Sequence, residues 1–183
     1  GIFKMTCRRA STGGKTEKTR VYDYDESKVN FYKMSLGGKH RWHIHEWCID
    51  NGYIALGWGQ ENDYSDMNNI DDWKKFRDTF KAKYPEIASS KKYTIQALFI
   101  FMNMKEGDIV LASKGNHKVE AIGKVTGNYE FMDDNPTEFC HFRKVEWLHV
   151  DLDSPVDVFV KKNLSQQSIY EFYKKDVRVE YIS

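Results

Sequence analysis

The chain has 183 residues, 40% hydrophobic and 30% charged, which suits one globular domain with a real core. Its formal net charge of +1 excludes a simple polycation that coats nucleic acid everywhere, although a locally basic face is compatible with it. Aromatic residues reach 15%, more than such a core needs, and surplus rings serve binding surfaces.

Residues 1–29 read as a polar, poorly patterned extension, flexible or loosely attached to a domain spanning 30–183. Gly14-Lys15-Thr16 has the ending of a phosphate loop, but Arg9 stands where its first glycine belongs, so no nucleotide loop is expected. Asn30 to Leu36 alternates as a strand ended by Gly37-Gly38. His40 to Asp50 reads as a short helix closed by Gly52. Tyr53 to Trp58 is an apolar run, the pattern of a buried strand, and it empties into a polar loop. Asp71-Asp72 supply capping carboxylates for a helix carrying Trp73, Phe76, Phe80 and Tyr84, and a second helix spans about Lys92 to Met104. From Met104 to Leu148 the pattern predicts three strands with a turn, an aromatic tip and a loop between them. Beyond Asp151–Pro155 we expect a strand at 156–160, a helix at 165–175 and a closing strand at 177–182. The order predicts an α+β fold, a small curved β-barrel with flanking helices.

Cys7, Cys48 and Cys140 are odd in number and never spaced as C-x-x-C, which argues against a disulfide framework or structural zinc and fits a reducing cytoplasm. No apolar run reaches membrane-spanning length and the first residues do not form a signal peptide. His40, His43, His45, Glu46, Cys48 and Asp50 crowd into eleven residues. They lack the i, i+4 histidine pairing of a zinc helix and a second ligand cluster, so no metal or other cofactor is expected. A metal-dependent nuclease using His43, His45, Glu46 and Asp50 is the enzymatic alternative. No nucleophile elbow appears, and Cys140 with adjacent His141 would point to opposite faces of a strand.

Trp58, flanked by Gly57 and Gly59, sits where a flat ligand or another backbone can approach closely. Tyr129 and Phe131 stand at i and i+2, on one face of a strand. Lys39, Arg41, Lys114, His117, Lys118, Arg143 and Lys144 are candidates for a basic rim that holds phosphates. Each of these residues has a structural alternative as core or solvated surface.

The blocks IALGWG (54–59), NMKEGDIVLASKG (103–115), KVEAIGKVTGNYEF (118–131) and HFRKVEWL (141–148), in that order, resemble the EVE/YTH-like branch of the PUA-like superfamily, as at the front of McrB-type modification-dependent restriction proteins. The tail Leu164–Tyr170 resembles that family's closing helix. The resemblance implies a curved β-barrel that flips a modified base of DNA, methylated adenine or modified cytosine, into an aromatic cage without catalysing a reaction. It places Trp58, Tyr129 and Phe131 in the cage, and Ser35, Leu36, Gly37, Gly57 and Gly59 at the base edge. It also implies a motor and nuclease portion as partner. An RNA reader of the same fold and a protein-interaction module are the other readings.

Overall fold

The computed structural model describes residues 2–6, 21–25, 28–59, 61–90 and 93–178. Strands β1 (Ile2–Thr6) and β2 (Val21–Asp25) pair antiparallel within the region expected to be unpatterned. Gly14-Lys15-Thr16 and Cys7 lie outside the described residues.

The remainder is built on β3 (Phe31–Ser35), α1 (Trp42–Asn51), β4 (Tyr53–Leu56), α2 (Trp73–Lys83), α3 (Pro85–Ser90), α4 (Thr94–Asn103), β5 (Ile109–Lys114), β6 (Lys118–Phe131), β7 (His141–His149), β8 (Ser154–Pro155) and β9 (Ile169–Glu171). The sheet order is β4-β7-β6-β5-β3-β9, with β8 beside β6. All its pairs are antiparallel except β3 with β5. The fold is α+β, with the mixed sheet strongly curled into a half-barrel.

The central strands carry apolar residues at successive positions because both faces of the sheet are covered. Tyr32, Met34, Val110 and Ala112 join one core with Ile44, Leu56, Phe76, Phe80, Leu98 and Phe101, from the helices and the β4 margin. Phe31, Ile109 and Leu111 turn the other way and pack with Val156, Phe159, Leu164 and Phe172 of the C-terminal segment. The element boundaries follow local chemistry. Gly52 takes the left-handed conformation (φ 73°) and its N–H returns to Cys48 O, ending α1. Asp72 caps α2 by accepting the Lys75 N–H at 2.7 Å.

Three expectations for the tail are corrected. Residues 156–158 form a 3-10 turn rather than a strand, and Val160 makes an isolated bridge with Val177. The predicted helix at 165–175 is replaced by β9, which adds to the free edge of β3 through Tyr32↔Glu171, Lys33↔Tyr170 and Met34↔Ile169. Most of the expected closing strand lies outside the described residues. Among the described residues no helix is long and apolar enough to cross a membrane.

Candidate binding groove

The curl of the sheet brings together the ends of β3 and β4, which are four places apart in strand order. Between them lies a groove of about 340 Å³, within the usual range for ligand sites. Ser35 and Gly37 enter it from the end of β3, and Leu56, Gly57 and Trp58 from the end of β4. Gln166 and Ser168 supply the far wall, with Arg41 and Phe139 completing the lining.

Each wall has a local cause. Gly37 has φ 82°, and a Cβ there would lie 2.3 Å from Arg41 O, so only glycine lets the chain turn this tightly onto α1. The 166–168 wall is held by main-chain and side-chain bonds: Ser35 N–H donates to Ser168 O at 2.8 Å, Lys33 Nζ donates to Gln167 O, and Tyr93 OH donates to Ile169 O. Burial pushes the Lys33 ammonium down to about 8. The Tyr93 ring meets Trp58 edge-on, with centroids 5.2 Å apart, which ties the Trp58 turn to the same wall.

Phe139 faces Gly57 so closely that a Cβ on Gly57 would lie 2.6 Å from its ring. The Arg41 guanidinium sits 5.0 Å above the Phe139 ring and 3.5 Å from the Glu138 carboxylate. On the other side of Phe139 a second hollow of about 440 Å³ is lined by Glu61, Asn62, Glu138, Cys140 and His141. Burial, then the charges of Glu61 and Asp133, push the Cys140 thiol up, so this hollow is the acidic side. Arg41, which lines the groove, and Glu138, which lines the acidic hollow, are thus paired across the boundary between them.

Of the expected base-edge residues, Ser35, Gly37 and Gly57 line the groove, whereas Leu36 is buried in the core and Gly59 beneath the turn. Trp58 lines it; Tyr129 and Phe131 do not. Tyr129 is buried at 6% exposure, its hydroxyl accepting the Tyr64 N–H at 3.2 Å and lying 2.8 Å from His141 Nδ1. Phe131 lies half-buried beside His141, 6.0 Å between centroids. The i, i+2 spacing does place both rings on one strand face, but the Tyr129 position points inward. Sequence reasoning misses Phe139, Gln166 and Ser168. An isolated phenylalanine after the polar run Asp133–Glu138 is the signal that marks Phe139.

The basic candidates divide. Arg41 lines the groove, and Lys39 is exposed two residues before it. Ser35 pairs with Ser113, and Lys114 with Lys118, so the β5–β6 turn with exposed Lys114, His117 and Lys118 lies at the same end of the sheet. Lys114 contacts Glu120 at 3.8 Å and the Trp42 ring at 4.9 Å, and Lys118 pairs with Asp153 at 2.7 Å. Exposed Lys144 is opposite Tyr53, at the far end of β4 from the groove. Arg143 is no surface cation. It is 2% exposed, and its guanidinium donates to the carbonyls of Phe101, Met102 and Met104 at the end of α4 and to Gly127 O in the β6 bulge. Those carbonyls have no helical partner, and a fork of N–H donors satisfies several at once.

The histidine cluster separates too. His45 is buried and stacks on Trp42 with centroids 4.0 Å apart, while His43, Glu46 and Asp50 face solvent. Among the described residues no three His, Cys, Asp or Glu side chains are grouped to hold a metal ion. Cys48 and Cys140 are buried free thiols.

Residues 32–173, which include every wall of the groove, match a family described as a domain of unknown function, DUF8426. The chain belongs to the DUF8426 family. No match is found among curated proteins. The matched span begins inside β3 and ends just after β9, so the family's extent coincides with the curled sheet.

Proposed function

We propose that this DUF8426 domain reads a modified base in DNA by accepting the extruded base in the groove between Trp58 and Phe139. The observation that carries the reading is the pairing of two aromatic side chains with convergent polar groups in one groove bearing a cation at its mouth. A flat, uncharged ring with hydrogen-bonding edges suits such walls. In this reading Ser35, Gln166 and Ser168, which line the groove, meet the base edge, and Arg41 with exposed Lys39 meets the flanking phosphates.

The energetics set what the groove must supply. Extruding a base costs a few kcal/mol, and stacking on an aromatic side chain returns about 1–3 kcal/mol. A methyl group adds only about 0.8 kcal/mol of apolar burial, so discrimination rests on fit and on polar groups left unpaired by the wrong base. The domain performs no reaction in this reading. It targets a motor and nuclease portion, on the same or a partner chain, to modified DNA in the cytoplasm.

The test is titration, at fixed salt, against matched duplexes carrying adenine, N6-methyladenine, cytosine, 5-methylcytosine or 5-hydroxymethylcytosine, with RNA of the same sequence as competitor. A preference of about tenfold for one modified duplex is expected. Trp58→Ala and Phe139→Ala should each remove that preference while leaving weak, salt-sensitive binding. Equal affinity for all duplexes would refute the reading, and stronger competition by RNA would move it to an RNA ligand.

A further inference from the structure

Directly beneath the Trp58 turn lies a polar network that packing alone does not require. Tyr64, Tyr129 and His141 are 0%, 6% and 1% exposed, and come from the loop after β4, from β6 and from β7. Tyr64 OH donates to Gly59 O, immediately after Trp58, while the Tyr64 N–H donates to the Tyr129 hydroxyl at 3.2 Å. The same hydroxyl is hydrogen-bonded to His141 Nδ1, 2.8 Å away, as donor or acceptor according to the histidine tautomer. Tyr64 packs face-tilted on His141, with centroids 5.4 Å apart, and His141 is the strand partner of Leu56, the last residue of β4.

The turn is thus gripped from both sides of Trp58. Leu56 is fixed by the ladder to His141, and Gly59 by the Tyr64 hydroxyl. Gly59 has φ 95°, and a Cβ there would lie 2.8 Å from Tyr64 and 3.4 Å from His141 Nε2, so the network closes directly onto its backbone. Phenylalanine would fill the two tyrosine positions with the same ring volume. The hydroxyls add direction: a buried polar network is costly unless every member is satisfied, and when satisfied it selects one arrangement.

We infer that Tyr64 and Tyr129, linked through His141, are positioning residues that set the orientation of Trp58 without entering the groove. Their effect on ligand affinity rests on the base-reading function proposed above; their effect on Trp58 does not.

The experiment uses the whole chain labelled with 5-fluorotryptophan, whose five sites include Trp58. Fluorine NMR identifies the Trp58 resonance by its loss in Trp58→Phe. Tyr64→Phe and Tyr129→Phe should each shift or broaden that resonance and leave those of Trp42, Trp47, Trp73 and Trp147 in place. Tyr32→Phe removes a hydroxyl that lies beside Asn30 and Asp108, outside this network, and should leave Trp58 unmoved, which separates positioning from general loss of stability. Binding of the preferred modified duplex should weaken roughly five- to tenfold in both variants, the loss expected for one directed hydrogen bond. Should Tyr129→Phe not fold, Tyr64→Phe decides alone. An unmoved Trp58 resonance in the folded variants would overturn the inference. A shifted resonance in a protein that binds none of the duplexes would uphold the positioning role and reject only the proposed function.

Discussion

Replacement of Gly59 by alanine measures how tightly the Trp58 turn is built. Two costs act at this position. At φ 95° an alanine occupies backbone that side chains avoid, which costs about 1–2 kcal/mol. Its Cβ would also lie 2.8 Å from Tyr64 Cε2 and 3.0 Å from Leu98 Cδ1. Neither neighbour retreats cheaply, because Tyr64 is pinned through both its hydroxyl and its N–H and Leu98 is fully buried. Overpacking of this kind adds about 1–3 kcal/mol. Gly107 supplies the internal reference: its φ is 93° and a Cβ there would meet nothing within 4 Å, so Gly107→Ala carries the backbone cost alone. Urea unfolding followed by far-UV circular dichroism should therefore give a loss of about 1–2 kcal/mol for Gly107→Ala and about 2–5 kcal/mol for Gly59→Ala. At roughly 2–4 °C per kcal/mol, thermal midpoints should separate by several degrees. Equal losses in the two variants would refute the argument, since the turn would then be free to move away from Tyr64.

Two further outcomes follow from buried basic side chains. Burial holds His45 down to about 4, against about 6.5 when unfolded, so the unfolded chain binds the extra proton between those values and stability falls as pH drops from about 6.5 to 4. Lys114 lowers and Asp151 raises the same group, and the full contribution is about 3 kcal/mol; His45→Gln should flatten this part of the pH–stability curve in urea titrations, and an unchanged slope would exclude His45 as its source. Arg143→Met should cost about 3 kcal/mol or more by orphaning carbonyls at the end of α4 and at Gly127. Arg143→Met, under conditions where it remains folded, should leave the salt dependence of nucleic-acid binding unchanged, whereas removing a cation that contacts phosphate would lower that slope by about one.

Arg143 and Tyr129 show where the local pattern stops being informative. Alternation along β7 and β6 assigns their faces correctly, and the strands, the capped helix α2 and the Gly-Trp-Gly turn follow from residues close in sequence. Which face becomes interior depends on partners far along the chain. Arg143 is drawn inward by carbonyls about 40 residues away, and Tyr129 by an N–H 65 residues away. Local pattern predicts a helix over 165–175 for the same reason. The strand state of that segment rests on pairing with β3, more than 130 residues earlier, and on Lys33 donating to Gln167 O, neither of which leaves a local periodicity.

The groove has the same non-local origin. β3 and β4 never pair with each other, so the polar end of one and the aromatic end of the other meet only because the sheet between them curls. Register then decides which ring does what. Tyr129 lies opposite Arg143 and is drawn into the core, whereas Phe139, just before β7 begins, reaches Gly57 just after β4 ends. A strand-face argument on β6 alone selects the aromatic residue that supports the turn. Only the pairing of β7 with β4 supplies the ring that faces the groove, so the second aromatic residue lining it beside Trp58 is set by that register.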